Sequence, residues 1–205
     1  MAVVYPSLEW MEEVLKKVNS DEQLKKVAAN WEGDILCRIE VDEEALKDFR
    51  DPEKLAGFIA MLSTIPVEKW SKFKGTKEEK FLNRLGIELD PDKLDISKLN
   101  AEELAKKVAE IKLEDIKGSA IYVWMDFWHG ELRGVEFAAP GEHQTAKFKL
   151  FGTHGVFKQL ITGKADPITL VVSGKMKLQG DVGYMMRNMP TMRRFMELMA
   201  SVPIK

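Results

Sequence analysis

The sequence predicts an α+β fold, because segments with strand periodicity lie on both sides of a long stretch with helical periodicity. Apolar and polar residues alternate in residues 35–41 and 145–151, which is the period of a half-buried β-strand. Residues 42–117, between these segments, instead carry helix-start signals and apolar residues at three- and four-residue spacing. We therefore expect a sheet that is covered by helices.

Composition indicates a folded domain without covalent cross-links. The chain has 205 residues, of which 45% are hydrophobic and 31% charged, enough for one domain over residues 1–205 with a full core. Cys37 is the one cysteine, which excludes an internal disulfide and a cysteine zinc cluster and fits a reducing cytoplasm. Since neither an apolar run of about 18 residues nor a signal-peptide pattern is present, we expect no membrane span.

The N-terminal segment predicts two helices followed by a strand. Residues 7–18 have an apolar face typical of an amphipathic helix. Ser20-Asp21-Glu22-Gln23 matches a capping box, which predicts a second helix that ends near Asn30. Residues 35–41 then alternate so that Cys37 faces the core, where we expect a small inert side chain.

Residues 42–117 are predicted to be helical from their start signals. Asp51-Pro52 places a capping carboxylate before a proline at the first helical position. Thr76 begins a second capping box, and Gly86 suits the left-handed exit of that helix. Asn100 caps a third helix.

The strand signal returns after Ser119. Residues 120–128 carry apolar side chains on both faces, as expected of a strand in the middle of a covered sheet. His129-Gly130 predicts a turn into a return strand over residues 132–137. Residues 145–151 then form a further strand with lysines on one face.

The local signals conflict in the last third of the chain. Thr153 begins a predicted helix that leaves through Gly163, and Asp166-Pro167 is a second helix start. Residues 168–172 nevertheless have a β-branched composition that favours a strand. A short strand over residues 175–178 precedes a methionine-rich helix that Pro190 is expected to bend or restart.

This C-terminal region resembles the sterol carrier protein type 2 family. The matching segments are HGVFKQLITGK, the following ADP, and SGKMKLQGDVGYMM. The resemblance implies a mixed sheet of about five strands covered by helices on one face, and it implies a helix from Asp166 to Ser173. It covers about 30 residues before residue 42 and about 80 after residue 117. Residues 42–117 depart from the family pattern, so we interpret them as a helical insertion that either covers the second sheet face or replaces part of the entrance.

The resemblance implies an intracellular lipid carrier with an apolar cavity for a fatty acyl, isoprenoid or sterol-like ligand. Methionine side chains adapt to apolar partners of varied shape, which suits such a cavity. The residues expected to line it lie on one sheet face and two helices: Ile121, Val123, Met125, Phe148, Leu150, Phe157, Leu160, Met176, Leu178, Met185, Met186 and Met189. Two alternatives stay open: a non-catalytic interaction module that dimerises through Tyr122, Trp124 and Trp128, and an enzyme acting on acyl substrates.

Catalytic and metal-binding patterns are absent from the sequence. His129, His143 and His154 lack ligand spacing, so we predict no metal site, no cofactor and no catalytic residue. Asp126, on an otherwise apolar strand face, is expected to pair with Arg133. The absence of a nucleic-acid motif predicts no such partner. Residues 118–205 carry eleven basic against seven acidic side chains, which fits transient contact with a membrane surface.

Overall fold

The computed structural model describes residues 2–205, and we number its strands and helices in chain order. The strands are β1 (Ile35–Glu40), β2 (Ala120–Trp128), β3 (Glu131–Ala138), β4 (Phe148–Thr153) and β5 (Lys177–Gln179). The helices are α1 (Leu8–Ser20), α2 (Glu22–Val27), α3 (Glu43–Phe49), α4 (Pro52–Leu62), α5 (Lys77–Leu85), α6 (Ala101–Glu110), α7 (Leu113–Ile116), α8 (His154–Ile161), α9 (Pro167–Val172), α10 (Val182–Arg187) and α11 (Met189–Ala200). Short 3₁₀ helices occupy Val67–Phe73 and Ile96–Lys98. No helix within residues 2–205 is long and apolar enough to cross a membrane.

The sheet is mixed, with β1 at its centre. Its strand order is β3-β2-β1-β4-β5. β1 pairs antiparallel with β2 and parallel with β4, which places Cys37 between Val123 and Leu150. The predicted α+β class and the five-stranded mixed sheet are confirmed.

Helices α1, α4, α8 and α11 pack together over one face of the sheet. The opposite face carries Tyr122, Trp124 and Trp128, which are only half-buried. The expectation that β2 is covered on both sides is therefore wrong. These rings are shielded locally instead: His143 stacks on Trp124 at 4.3 Å between ring centroids, and the Arg133 guanidinium lies 5.1 Å from the Trp128 ring.

Most helix starts follow the sequence signals. The side chains of Ser7, Asp51, Thr76 and Asn100 each accept a hydrogen bond from a backbone N–H in the first turn, which satisfies a donor that the helix leaves free. The predicted cap of α2 is wrong by one residue, because Asp21 rather than Ser20 accepts from the Leu24 backbone N–H. α2 also ends earlier than predicted, at Val27.

The conflict over residues 168–172 is resolved in favour of a helix. Asp166 accepts from the Thr169 backbone N–H, and Pro167 fits the first turn. The predicted interruption of the methionine-rich segment is confirmed, since α10 ends at Arg187 and α11 begins at Met189 with Pro190 in its first turn.

Helix α4 lies close to the chain segment before α1 because Gly57 has no side chain. A Cβ at this position would lie 2.4 Å from the carbonyl oxygen of Pro6. One turn further along α4, Met61 reaches the core beneath the sheet. The helical segment over residues 42–117 thus joins the covered face of the sheet through α4, and its status as an insertion stays a prediction.

Candidate functional site

A cavity of about 80 Å³ lies between the covered sheet face and the helices. Its floor is formed by four strands, on which side chains that point to one face recur every second residue. The exception is β3, where a register shift in its pairing with β2 places Leu132 and Val135, three residues apart, on the same face. The floor residues are Cys37, Ile39, Ile121, Val123, Met125, Leu132, Val135 and Leu150. Its roof comes from the N-terminal segment and four helices: Tyr5, Pro6, Trp10, Met11, Val14, Met61, His154, Phe157, Leu160, Ile161, Met196 and Met199.

Six of the twelve residues predicted to line a lipid site lie on this cavity. They are Ile121, Val123, Met125, Leu150, Phe157 and Leu160. They converge because β1 brings β2 and β4 together, and α8 follows β4 directly.

The structure places the other six predicted residues elsewhere. Phe148 is buried under Trp31 and Tyr184, with ring centroids 5.3 and 5.7 Å away. Met176 and Met185 are buried, Leu178 is half-buried opposite Leu150, Met186 is 55% exposed, and Met189 lines an outer cleft. From the methionine-rich region, the roof instead contains Met196 and Met199, further along α11; Met11 and Met61 also line it.

The outer cleft adjoins the cavity. It has a volume of about 240 Å³ and lies between α8, α9 and α11, with Asp166, Arg193 and Glu197 at its edge. Leu160 and Met196 line both the cleft and the cavity. These two side chains therefore separate the apolar interior from the surface.

A buried polar network adjoins the cavity wall. No sequence pattern indicates it, because Asp48 lies more than 100 residues before His154 and Lys158. His154 Nε2 lies 2.9 Å from Asp48 Oδ2, and these two side chains are 2% and 4% exposed. Lys158 and Lys54 also donate to Asp48, at 2.7 and 2.8 Å. Burial alone would raise the pKa of Asp48, but the hydrogen bonds from His154, Lys158 and Lys54 outweigh it and lower that pKa. Asp48 therefore stays ionised and anchors α3 to α8.

Cys37 is a buried, unreactive thiol in the cavity floor. It is 5% exposed, and burial raises its pKa to about 12. Thiols react as thiolates, so the predicted inert character of Cys37 agrees with its environment.

The polar residues of the open sheet face are paired within the chain. Arg133 donates to Asp126 at 2.7 Å, which confirms the predicted pair. Trp124 Nε1 donates to Asp34 at 2.7 Å, and Tyr122 donates to Glu78 at 3.2 Å.

Three potential metal ligands gather beside this face, namely Glu136, Glu142 and His143. Lys69 approaches Glu136 at 2.8 Å and Glu142 at 3.2 Å, and Lys72 approaches Glu142 at 3.1 Å. Both carboxylates thus already have ammonium partners, which would compete with a cation.

The sheet order and the apolar cavity define the class of the protein: an α+β domain with an internal cavity between a mixed sheet and its helical cover. The profile of the SCP-2 sterol transfer family matches residues 87–193. The chain belongs to the SCP-2 sterol transfer family.

Solved structures show the same fold. A crystal structure of sterol carrier protein 2 is 15% identical, covers 95% of both chains and has a TM-score of 0.53. The solution structure of a conserved hypothetical protein from Thermus thermophilus, described as possibly a sterol carrier protein, is 13% identical, covers all of this chain and 94% of its own, and has a TM-score of 0.56. At these identities the likeness concerns the fold alone. No curated protein sequence matches the chain significantly.

Proposed function

We propose that the protein is a carrier that binds one apolar small molecule, of fatty acyl, isoprenoid or sterol-like type, in the cavity between the sheet and its helices. The observation that carries the proposal is which residues line the cavity, in a protein that belongs to the SCP-2 sterol transfer family. Of its twenty described lining residues, none is Asp, Glu, Lys or Arg. A wall of this kind binds by excluding water from apolar surface and needs no reacting group.

The energetics are sufficient for reversible binding. Each buried methylene contributes about 0.8 kcal/mol, so about ten methylenes supply about 8 kcal/mol before ordering costs. Micromolar affinity corresponds to about 8 kcal/mol net. Because ordering costs must also be met, the ligand needs a chain of more than about ten methylenes. The volume of such a chain exceeds that of the closed cavity, which is about 80 Å³. Binding accordingly requires the cavity to widen.

The outer cleft is the route by which we expect the cavity to widen. Leu160 and Met196 separate the two spaces, and methionine has three rotatable bonds and changes shape at low cost. α11 is joined to α10 by a break at Asn188, so it can shift without unwinding a longer helix. Exposed apolar side chains lie nearby in sequence on α9 and α10: Val172 (81%), Val182 (51%) and Met186 (55%). They are suited to transient contact with a membrane surface.

Native mass spectrometry of the purified protein, followed by organic extraction, tests this function. We expect an apolar species at one per chain, or uptake of a fluorescent fatty acyl or sterol probe by the empty chain. The proposal is wrong if the chain is empty and takes up neither probe. In that case elution mass would test the remaining alternative, a homodimer formed through the open sheet face.

A further inference from the structure

One end of the apolar cavity carries three side chains with polar atoms. Trp10, Tyr5 and His154 all line it. The Tyr5 ring meets Trp10 edge to face at 5.0 Å between centroids and stacks on His154 at 5.6 Å. Leu160, at the cleft side, lies six residues after His154 on α8, which corresponds to about 9 Å along a helix. We call this end, which Tyr5, Trp10 and His154 form, the polar end, although almost all of the surface that the empty cavity exposes is apolar.

Trp10 Nε1 is a buried donor that has no acceptor among residues 2–205, and it has almost no surface exposed even towards the empty cavity. A ligand oxygen can therefore reach this nitrogen only when the cavity widens on binding. The other buried indole donors are satisfied: Trp31 Nε1 donates to the Gly33 carbonyl oxygen at 2.9 Å, and Trp70 Nε1 donates to the Ile65 carbonyl oxygen at 3.1 Å. A buried polar group without a partner is destabilising, and such groups are rare in native proteins. Because an indole N–H can only donate, its missing partner must be an acceptor.

The charges around this end favour a neutral acceptor over an anion. The cavity wall contains no Lys or Arg among its described residues, and an ionised group without a partner is costly to bury. The two lysines behind His154 already have an anionic partner, since Lys54 and Lys158 both form ion pairs with Asp48. Burial raises the pKa of Tyr5, so its phenol also remains neutral.

We infer that the ligand is a neutral lipid with an oxygen atom at one end, such as an alcohol or an ester, that accepts a hydrogen bond from Trp10 Nε1. The apolar chain then runs along α8 towards Leu160 and Met196, where the cleft admits it. This inference rests on the proposed carrier function, and it narrows the ligand class to neutral oxygen-bearing lipids rather than free fatty acid anions.

The test compares 1-decanol, decane and decanoate at pH 8 as competitors of a fluorescent acyl probe. For the wild type we expect decanol to bind roughly 3- to 10-fold more tightly than decane, the range of one hydrogen bond. Decanoate should bind more weakly than decanol, because the anion lacks a cationic partner.

The variant Trp10→Phe keeps an aromatic ring but removes the donor. We expect it to bind decanol and decane alike, with decane affinity within about twofold of wild type. The ligand-free variant should be at least as stable as wild type, because an unpartnered donor has been removed. Trp128→Phe, on the opposite sheet face, is the matched control and should keep the preference for decanol.

Equal binding of decanol and decane by the wild type would overturn the inference, as expected if a water molecule satisfies Trp10 Nε1. Retention of the preference in Trp10→Phe would overturn it as well, and so would tighter binding of decanoate than of decanol. If the probe binds but neither decanol nor decane displaces it, the inference is overturned and the carrier function stands. If the chain is empty and takes up no probe, the carrier function fails, and the inference fails with it.

Discussion

Cys37 is the position where the size of the cavity can be changed from its floor. It lies on the central strand between Val123 and Leu150, so a larger side chain there has to enter the cavity. An empty space of about 80 Å³ corresponds to about 2 kcal/mol of missing packing energy at about 24 cal/mol per Å³. Cys37→Leu adds two heavy atoms and should raise the free energy of unfolding of the empty protein by about 1 kcal/mol.

The same substitution should weaken ligand binding. If it displaces two methylenes of a bound chain, at about 0.8 kcal/mol each, affinity falls roughly 15-fold. Cys37→Ala should have the opposite effect on stability, which should fall, while its ligand affinity should be at least that of the wild type. Thermal unfolding and probe titration measure both quantities, and a change of 1 kcal/mol corresponds to about 2–4 °C in Tm.

The test is specific because Cys37→Leu is expected to raise stability and to lower ligand affinity. Val172→Leu, at a position that is 81% exposed, is the control and should change neither quantity. If Cys37→Leu is stabilised but binds with wild-type affinity, the ligand does not occupy this cavity. If it is destabilised by more than about 1 kcal/mol, the space near Cys37 is already filled, contrary to the structure.

Four further predictions concern the framework and the entrance. Gly57→Ala should destabilise the protein by about 1–3 kcal/mol through the contact with Pro6, although alanine favours helices; Gly134→Ala, with open space around it, is its control in urea unfolding. Asp48→Asn should cost about 3 kcal/mol at pH 7. Because the folded-state pKa of Asp48 is lowered, its contribution is complete above about pH 4, the unfolded value, and is lost as the pH falls towards the folded value; a penalty for Asp48→Asn that is equal at pH 7 and pH 3 would contradict this. Asp126→Asn should cost less than about 1 kcal/mol, as for other partly exposed pairs, and should leave ligand affinity unchanged. Val172→Glu should slow ligand uptake from anionic vesicles without changing the equilibrium affinity, and an unchanged stopped-flow rate would exclude that surface from the transfer step.

The parts of the fold that could be predicted from sequence are those set by local signals. The caps at Asp51, Thr76 and Asn100 lie within four residues of the donors that they satisfy, so they are readable as short patterns. Strand alternation identified the floor residues on β2 in the same way. The helix over residues 168–172 is different, because propensity favoured a strand and only the family resemblance indicated the helix.

Half of the floor of the candidate site was among the predicted lining residues, but only two of the twelve roof residues were. Floor residues follow from one strand's alternation, whereas the roof depends on how separate helices pack. Met61 reaches the cavity because Gly57 lets α4 approach Pro6, a contact between residues about fifty apart in sequence. Met185, Met186 and Met189 were predicted to line the site, but they belong to α10 and the first residue of α11, whereas Met196 and Met199 further along α11 face it. The methionine-rich segment is divided into two helices at Asn188, and a high methionine content does not show which of its methionines face the cavity.

The polar end of the cavity shows why long-range pairing matters for function as well as for stability. Asp48 and His154 are 106 residues apart, and no spacing rule connects them. Asp48 accepts hydrogen bonds from His154, Lys54 and Lys158, and Glu44 also pairs with Lys158. The two ammonium charges that would otherwise attract an anion to the cavity are thereby offset. Trp10 Nε1 is then a buried donor of the cavity wall that still lacks an acceptor among residues 2–205. The ionic network thus keeps the cationic side chains behind His154 paired. Asp48→Asn, which leaves Lys54 and Lys158 without this partner, should consequently raise the affinity for decanoate relative to decanol as well as lower stability.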